Sequence, residues 1–485
     1  MRRSHGLLAL SAVLALSLIA PAAASADMWQ AKGVPESVGI NTLWVLIAAV
    51  LVIFMQVGFM FLEIGFSRGK NAGTVVAKIF TNFSIAAILY WAVGFAFAFG
   101  GSLGHVIGTE GFFLRDFGNP TDAFPIMGFS DATIEAKWLF QFSFCAVSLA
   151  IVWGTTLERI KFGVYVIYAV IFSALIYPIF SGWVFGGGWL QVKTGMQDFA
   201  GSTAVHLIGA AGGLAVLLLL GARKGKYGPD GTPRAIPGHN MPLFGLSVGI
   251  LLIGWFGFNP GSTLNALDTR FAEIALVTLL AAGAGALGSL ATSWSITKTI
   301  DIGMVGNGVI GALVAITAPS GYVVPWAGVV IGLIAGVIVP IGVYAIDKKL
   351  DDPVGALTAH GLCGIWGTLS CGLFTLPALA EFNTVGKGGL LYTGSFVQLG
   401  HQALGVAVVG VGVFVTSYLV FWLIKKTYGL RVTAEEEMQG LDISEHGMYG
   451  YPEQFIPASE LVGYGAAPQY GATISTGAAT TEVTA

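Results

Sequence analysis

The sequence predicts an all-α polytopic membrane protein with eleven transmembrane helices, an inverted 5+5 repeat followed by a final helix. Three observations predict it. Of 485 residues, 55% are hydrophobic and only 10% charged. A soluble domain carries roughly 25% charge, so too few charged side chains exist to cover a globule of this size in water. Apolar runs long enough to span a bilayer recur along the chain. An Asp–Gly–His pattern near the middle returns late in the sequence, five helices on. The composition excludes a soluble enzyme and a disordered chain. A net charge of −3 offers no basic face for nucleic acid. Glycine, at 69 residues, is about twice as frequent as usual, and membrane helices use small residues to approach closely.

The first segment reads as a signal peptide over residues 1–26. Arg2 and Arg3 precede a short apolar core from Leu7 to Ile19, and Pro21 leads to Ala24-Ser25-Ala26, an A-x-A cleavage pattern. The competing reading, a first membrane helix, needs a longer core. The membrane domain then occupies 27–428, with its N-terminus outside. Its spans fall near 41–66, 73–100, 138–157, 160–184, 200–221, 241–259, 271–294, 302–319, 323–346, 354–378 and 395–426. An odd number of spans places the C-terminus in the cytoplasm, in an inner cell membrane.

Loop charges test this count independently. The expected inner loops hold Arg68, Lys70, Arg159, Lys161, Arg223, Lys224, Lys226, Arg234, Lys298, Lys348 and Lys349, and the tail adds Lys425, Lys426 and Arg431. The expected outer loops hold only Arg115, Lys137, Lys193, Arg270 and Lys387. Beyond the membrane, 429–456 mixes charge, glycine and aromatics and reads as an ordered tail, with Glu435 to Glu437 a solvated face. Residues 457–485 are rich in Ala, Gly, Thr and Ser and read as disordered. Cys145, Cys363 and Cys371 form no CxxC pair or disulfide framework.

The repeat places chemistry inside the membrane. Asp198, Gly201 and His206 open the fifth span. Asp352, Gly355 and His360 open the tenth at the same spacing, and Gly213 and Gly367 follow at equal distance. Copies separated by an odd number of helices run in opposite directions, and such inverted repeats place their sites near the midplane. The pseudo-two-fold can therefore bring His206 and His360 together. A membrane histidine is costly unless it faces a partner or cavity. Three readings compete: a packed histidine bonded to a backbone carbonyl, a bis-histidine haem pocket, and a polar path. The glycines around both histidines suit a narrow path better than a haem cavity, so no cofactor is expected. Hard metal ions want oxygen ligands, and no metal is expected either. Neutral imidazole offers one donor and one acceptor nitrogen, which suits a small hydrogen-bonding solute. Asp198 and Asp352 read as helix caps.

Aromatic residues lie above the histidines. Phe140 and Phe144 share a helical face in FQFSF, as do Trp255, Phe258 and Ser262 in GWFGFNPGS. An ordinary aromatic stripe is the competing reading. Ser262 beside these rings near the outer mouth could instead help hold a small cation by cation–π attraction.

With DFAGSTAVH, LTAHGLCGIWG and the tail motif GLDISEHG added, the chain resembles the ammonium transporter family (Amt/Mep/Rh), in its prokaryotic Amt branch, from about Asn41 to Gln454. The resemblance implies the ammonium-transporter fold, a homotrimer with one pore per protomer, and a role in nitrogen metabolism. It implies an outer recruitment site at Phe144, Phe185 and Ser262 and a stacked gate of Phe144 and Phe258. The pore would be lined by His206, His360, Trp255 and Phe140, with Asp198 as structural support. Ammonium, with methylammonium as its analogue, would be recruited and deprotonated, NH3 and a proton crossing separately. Gly440, Asp442 and His446 would belong to a regulatory tail that meets a PII-type signalling protein. One departure stands out: Phe185 holds the place the family usually gives to Trp, and Phe has a weaker π-face and no N–H. Trp183 or Trp189 would compensate if the helix end shifts. An ammonium sensor that signals through its tail with little flux is the alternative function.

Overall fold

The computed structural model describes residues 35–114 and 123–456. The expected signal peptide and the segment 457–485 lie outside them. Nine described helices are long and apolar enough to cross a membrane. With Ile302–Thr317 and the run 357–374 they make the eleven expected spans. In chain order these are α1 (Glu36–Phe66), α2 (Gly69–Phe99), α3 (Ile134–Gly154), α4 (162–185), α5 (Ser202–Leu220), α6 (Met241–Gly261), α7 (Arg270–Thr297), α8 (Ile302–Thr317), α9 (Pro325–Asp347), α10 (357–374) and α11 (Val397–Thr427). Three short helices follow, α12 (Ala434–Gln439), α13 (Leu441–His446) and α14 (Pro452–Phe455).

Burial sorts these helices. The most apolar stretches of α3 and α5 are 89% and 83% buried, whereas that of α11 is only 28% buried. A helix apolar all round belongs either in a core or in lipid. Here α3 and α5 form the core, and the outer helices expose Leu43, Phe80, Leu287, Ile341 and Val411. The most extensive pairings are α1 with α6 and α7 with α9. Glycine works at such contacts: a Cβ on Gly367 would lie 2.3 Å from the Ala315 carbonyl oxygen, so α10 reaches the α8 backbone only without one.

The repeated motif has one structural job in both copies. Gly201 and Gly355 take positive φ, +120° and +75°, which L side chains avoid. Each then enters a π-turn, Ser202–Leu207 in α5 and Leu357–Leu362 in α10. Each histidine lies in its π-turn, five residues after its glycine. The aspartates satisfy the helix-start N–H groups, which have no partners within the helix. Asp198 Oδ1 accepts from Gly201 N (2.7 Å) and Ser202 N (3.0 Å), and its Oδ2 from Thr203 N and Ala204 N (2.9 Å each). Asp352 Oδ2 accepts from Leu357 N (2.7 Å).

Two expectations need correction. Lys137 is not a loop residue: it sits in the first turn of α3, 4% exposed, and Nζ donates to the Met127 and Ser130 carbonyls. The run Glu435 to Glu437 is a solvated face only in part, since Glu435 is exposed but Glu437 is not. Glu437 is 1% exposed because Arg431 (2.7 Å) and the Lys224 backbone N–H (2.7 Å) close over its carboxylate, while Glu436 completes a capping box with Thr433.

Candidate functional site

A continuous column of rings runs through the buried centre. Phe140 and Phe144, one turn apart on α3, have centroids 4.7 Å apart. Phe144 then stacks on Phe258 of α6 at 4.1 Å and 9°. Phe258 lies 5.4 Å from the His206 ring at 21°. His206 is also stacked on Trp255 (5.4 Å, 20°), whose Nε1 donates to Thr317 Oγ1 of α8 (3.0 Å). His206 and His360 complete the column, their Nδ1 atoms 3.2 Å apart. On the far side of His360 stands Phe59 of α1, 6.2 Å between centroids.

The histidine contact constrains chemistry. Of two Nδ1 atoms within hydrogen-bond distance, one donates and one accepts. In the neutral pair one imidazole must then carry its proton on Nε2 and the other must leave Nε2 bare. The pair therefore presents one donor and one acceptor, whichever way the shared proton lies. His206 Nε2 is buried and has no hydrogen-bond partner among the described residues. The surroundings hold the pair in place: Ser148 of α3 donates to the Val205 carbonyl in the π-turn (2.8 Å), and the Thr203 and Thr368 hydroxyls bridge α5 and α10 at 2.6 Å.

The structure brings Phe140, Phe144, Trp255, Phe258, His206 and His360 together. Ser262 closes α6 nearby, with Oγ donating to the Phe258 carbonyl (2.8 Å). Phe185 lies parallel to Phe99 of α2 at 6.2 Å and 7°, and no ring contact joins it to Phe144 among the described residues. Trp183 and Trp189 are held elsewhere, against the short hairpin Ser102–Leu103 and Ile107–Gly108. The Trp183 Nε1 donates to the Val106 carbonyl (2.7 Å), and the Trp189 backbone N–H to the His105 carbonyl (2.9 Å). Sequence reasoning passed over Phe59 and Thr317, which no local pattern distinguishes. It also passed over Glu63 of α1 and Lys78 of α2. Opposite charges within successive apolar runs were a usable signal, and the two form a buried ion pair.

The tail residues form a second site, at the end of the bundle where α11 terminates. Asp442 is fully buried and clasps the start of α2, accepting from the backbone N–H groups of Gly73, Thr74 and Gly450 at 2.9 Å each. Gly440 takes φ +109° and packs on Lys70, whose Nζ donates to the Met438 carbonyl. His446 meets Phe162 edge-on at 5.0 Å, and burial holds its pKa below the usual histidine value, against a raising influence from Asp442. Beneath the tail, Glu158 bridges Arg68 (2.5 Å) and Arg223 (3.6 Å), and Arg223 pairs with Asp351 (2.8 Å). Burial works against an ionised Asp351, but the hydrogen bond from Arg223 and the Arg159 and Arg223 charges hold its pKa down at about 2.

With this geometry in hand, similar proteins can be set beside the chain. The model of the Ammonium Transporter Family matches residues 43–451. Ammonium transporter Amt2 of Archaeoglobus fulgidus is 41% identical over 468 residues, covering 94% of this chain and 97% of that protein. Ammonium transporter Amt1 of Haloferax mediterranei is 35% identical, covering 86% and 80%. Among solved structures, the Sensor Amt Protein matches with a TM-score of 0.77 at 36% identity, over 84% of this chain and 99% of that one. Candida albicans Mep2 matches with a TM-score of 0.74 at 27% identity, over 85% and 90%.

Proposed function

The chain belongs to the ammonium transporter family, whose members are transporters and not enzymes, and on that premise we propose that its ring column and histidine pair conduct ammonia while excluding fixed charge. Ammonium is recruited at the mouth by Phe144, Phe185 and Ser262. It loses a proton there, and ammonia passes the Phe144–Phe258 gate to reach Trp255, His206 and His360. The proton crosses separately. The observation that carries this reading is the stacked column ending in two imidazoles with Nδ1 atoms 3.2 Å apart.

Physical chemistry favours a path selective by neutralisation. Ammonium and potassium are of similar size, so diameter cannot separate them. A charge at hydrocarbon depth costs several kcal/mol. Ammonium escapes that cost by losing a proton, and potassium cannot. The stacked phenyl rings exclude water and hydrated ions, and below them the pair offers one donor and one acceptor to ammonia. Asp198 serves as support: its carboxylate is occupied by four backbone N–H groups at the entry to α5, from Gly201 to Ala204, so its part is to hold His206 in register.

The Lys and Arg distribution supports a cytoplasmic tail face in an inner-membrane protein. There the docked tail, with Gly440, Asp442 and His446, is positioned to report on a PII-type protein and on neighbouring protomers of a homotrimer. The likeness to the Sensor Amt Protein favours one second reading, an ammonium sensor with little flux. Both readings meet the same test, ammonium- and methylammonium-evoked currents in proteoliposomes for wild type, His206→Ala and Phe185→Trp. Transport requires a wild-type current that His206→Ala abolishes or alters in selectivity. Wild-type silence with retained ammonium binding selects the sensor.

A further inference from the structure

One small cavity beyond the histidine pair has no part in the mechanism above. A cavity of about 20 Å³ lies on the tail side of the pair, lined by His360, Glu63, Asn307 and Phe59 among largely apolar neighbours. One water needs about 10–15 Å³ by this measure, so the space suits a single guest the size of water or ammonia. Glu63 is 1% exposed. Its Oε2 is paired with Lys78, whose Nζ also lies 5.6 Å from the centre of the Tyr165 ring. Its Oε1 is buried and has no hydrogen-bond partner among the described residues. Asn307 directs its amide N–H to the Val354 carbonyl (3.0 Å). A buried carboxylate oxygen left without a donor is costly, and here it belongs to a side chain lining a space sized for one small molecule.

We propose that this chamber is an inner ammonium site, with Glu63 Oε1 as the acceptor for a cation re-formed there. The proposal rests on the twin-histidine transport reading. Ammonia arriving past His360 takes up the proton that crossed separately through the pair. A new N–H bond forms at ammonia as the N–H bond of a His360 imidazolium breaks, the histidine returns to neutral, and the resulting ammonium donates to Glu63 Oε1. Lys78 occupies the other oxygen, so one acceptor stays free. Departure toward the tail face then releases the cation.

The test compares wild type with the double variant Glu63→Gln/Lys78→Met, which removes both charges together and so buries no lone charge. Infrared difference spectra of the full chain in proteoliposomes, with and without ammonium, read the carboxylate directly. Wild type shows an ammonium-induced shift of a carboxylate band, and the folded double variant lacks it. Its peak ammonium current falls roughly tenfold or more, while the half-saturating ammonium concentration stays unchanged. Should the double variant fail to fold, wild type decides alone: a carboxylate shift evoked by ammonium and not by potassium supports the site, and no shift with ammonium overturns it. A band that persists in the variant, a wild-type current from it, or an equal shift evoked by potassium each overturns the site. A silent wild type whose band still shifts overturns the transport reading and supports the site.

Discussion

Replacing Asp198 by Asn isolates what its carboxylate does. The side chain is 6% exposed, and each oxygen accepts two backbone N–H groups at the start of α5. Asn keeps one oxygen and turns an NH2 donor toward the two N–H groups on the other side. Two charge-assisted hydrogen bonds are lost, at about 1.5–3 kcal/mol each, and the two amides they served have no water to turn to. The expected cost is therefore about 3–6 kcal/mol, a large part of the about 5–15 kcal/mol that holds a typical domain folded. The same N–H groups set the π-turn that carries His206, so relaxation there displaces the imidazole. Thermal unfolding of the purified protein and ammonium-evoked current from the same preparation measure both effects. The unfolding temperature should drop by several degrees, and the current should fall even where the folded protein persists. An Asp198→Asn protein with wild-type stability and current would refute the assignment of Asp198 as the residue that holds the turn. Loss of current with stability unchanged would refute it differently, by pointing to direct substrate contact.

Other outcomes follow from the same geometry. Phe258→Leu removes one face of the 4.1 Å stack; it should cost about 1 kcal/mol beyond the lost area and leave the column leaky, read as a potassium current absent from wild type. Asp442→Ala removes the acceptor of three backbone amides and should release the tail, seen as hydrogen-exchange protection lost at Gly73 and Thr74; unchanged protection would mean the tail docks by other contacts. Tail docking should also respond to acid through His446. Burial lowers its pKa below the ordinary 6.5, so the undocked form binds more protons. Docking is complete above that value and weakens as pH falls through the lowered one, which protease sensitivity between α12 and α13 across pH 5 to 8 would show. Unchanged sensitivity across that range would contradict it.

What the sequence made legible and what it hid divide on physical lines. The Asp–Gly–His repeat was legible because three constraints recur at one spacing: a capping carboxylate, a positive φ and a polar group at depth. The ring faces of α3 and α6 were legible for a local reason, since rings three or four residues apart share a helical face; that Phe144 would meet Phe258 across two helices came only from the family resemblance. The π-turns were not legible, because shifting a hydrogen bond by one residue leaves the hydropathy pattern nearly unchanged. Phe185 illustrates a second limit. Its parallel partner, Phe99, lies on another helix, and no local pattern announces it. The Glu435 to Glu437 run was misread in part for the same reason: Glu437 is buried by Arg431 and by the Lys224 backbone, which only the tertiary fold brings over it. The network of Arg68, Glu158, Arg223 and Asp351 likewise joins separate loops, each of which alone looks like ordinary loop charge. Glu63 and Lys78 were the missed opportunity, since opposite charges in successive apolar runs need each other in lipid.

The central claim is that selectivity comes from neutralisation of ammonium before a path that offers only imidazoles and no fixed charge. Paired ammonium and potassium pulses on proteoliposomes carrying wild type or His206→Asp measure it directly. The account predicts current with ammonium alone in wild type, and current with both ions once a fixed carboxylate replaces the imidazole. Potassium exclusion unchanged in a folded, ammonium-conducting His206→Asp protein would contradict it.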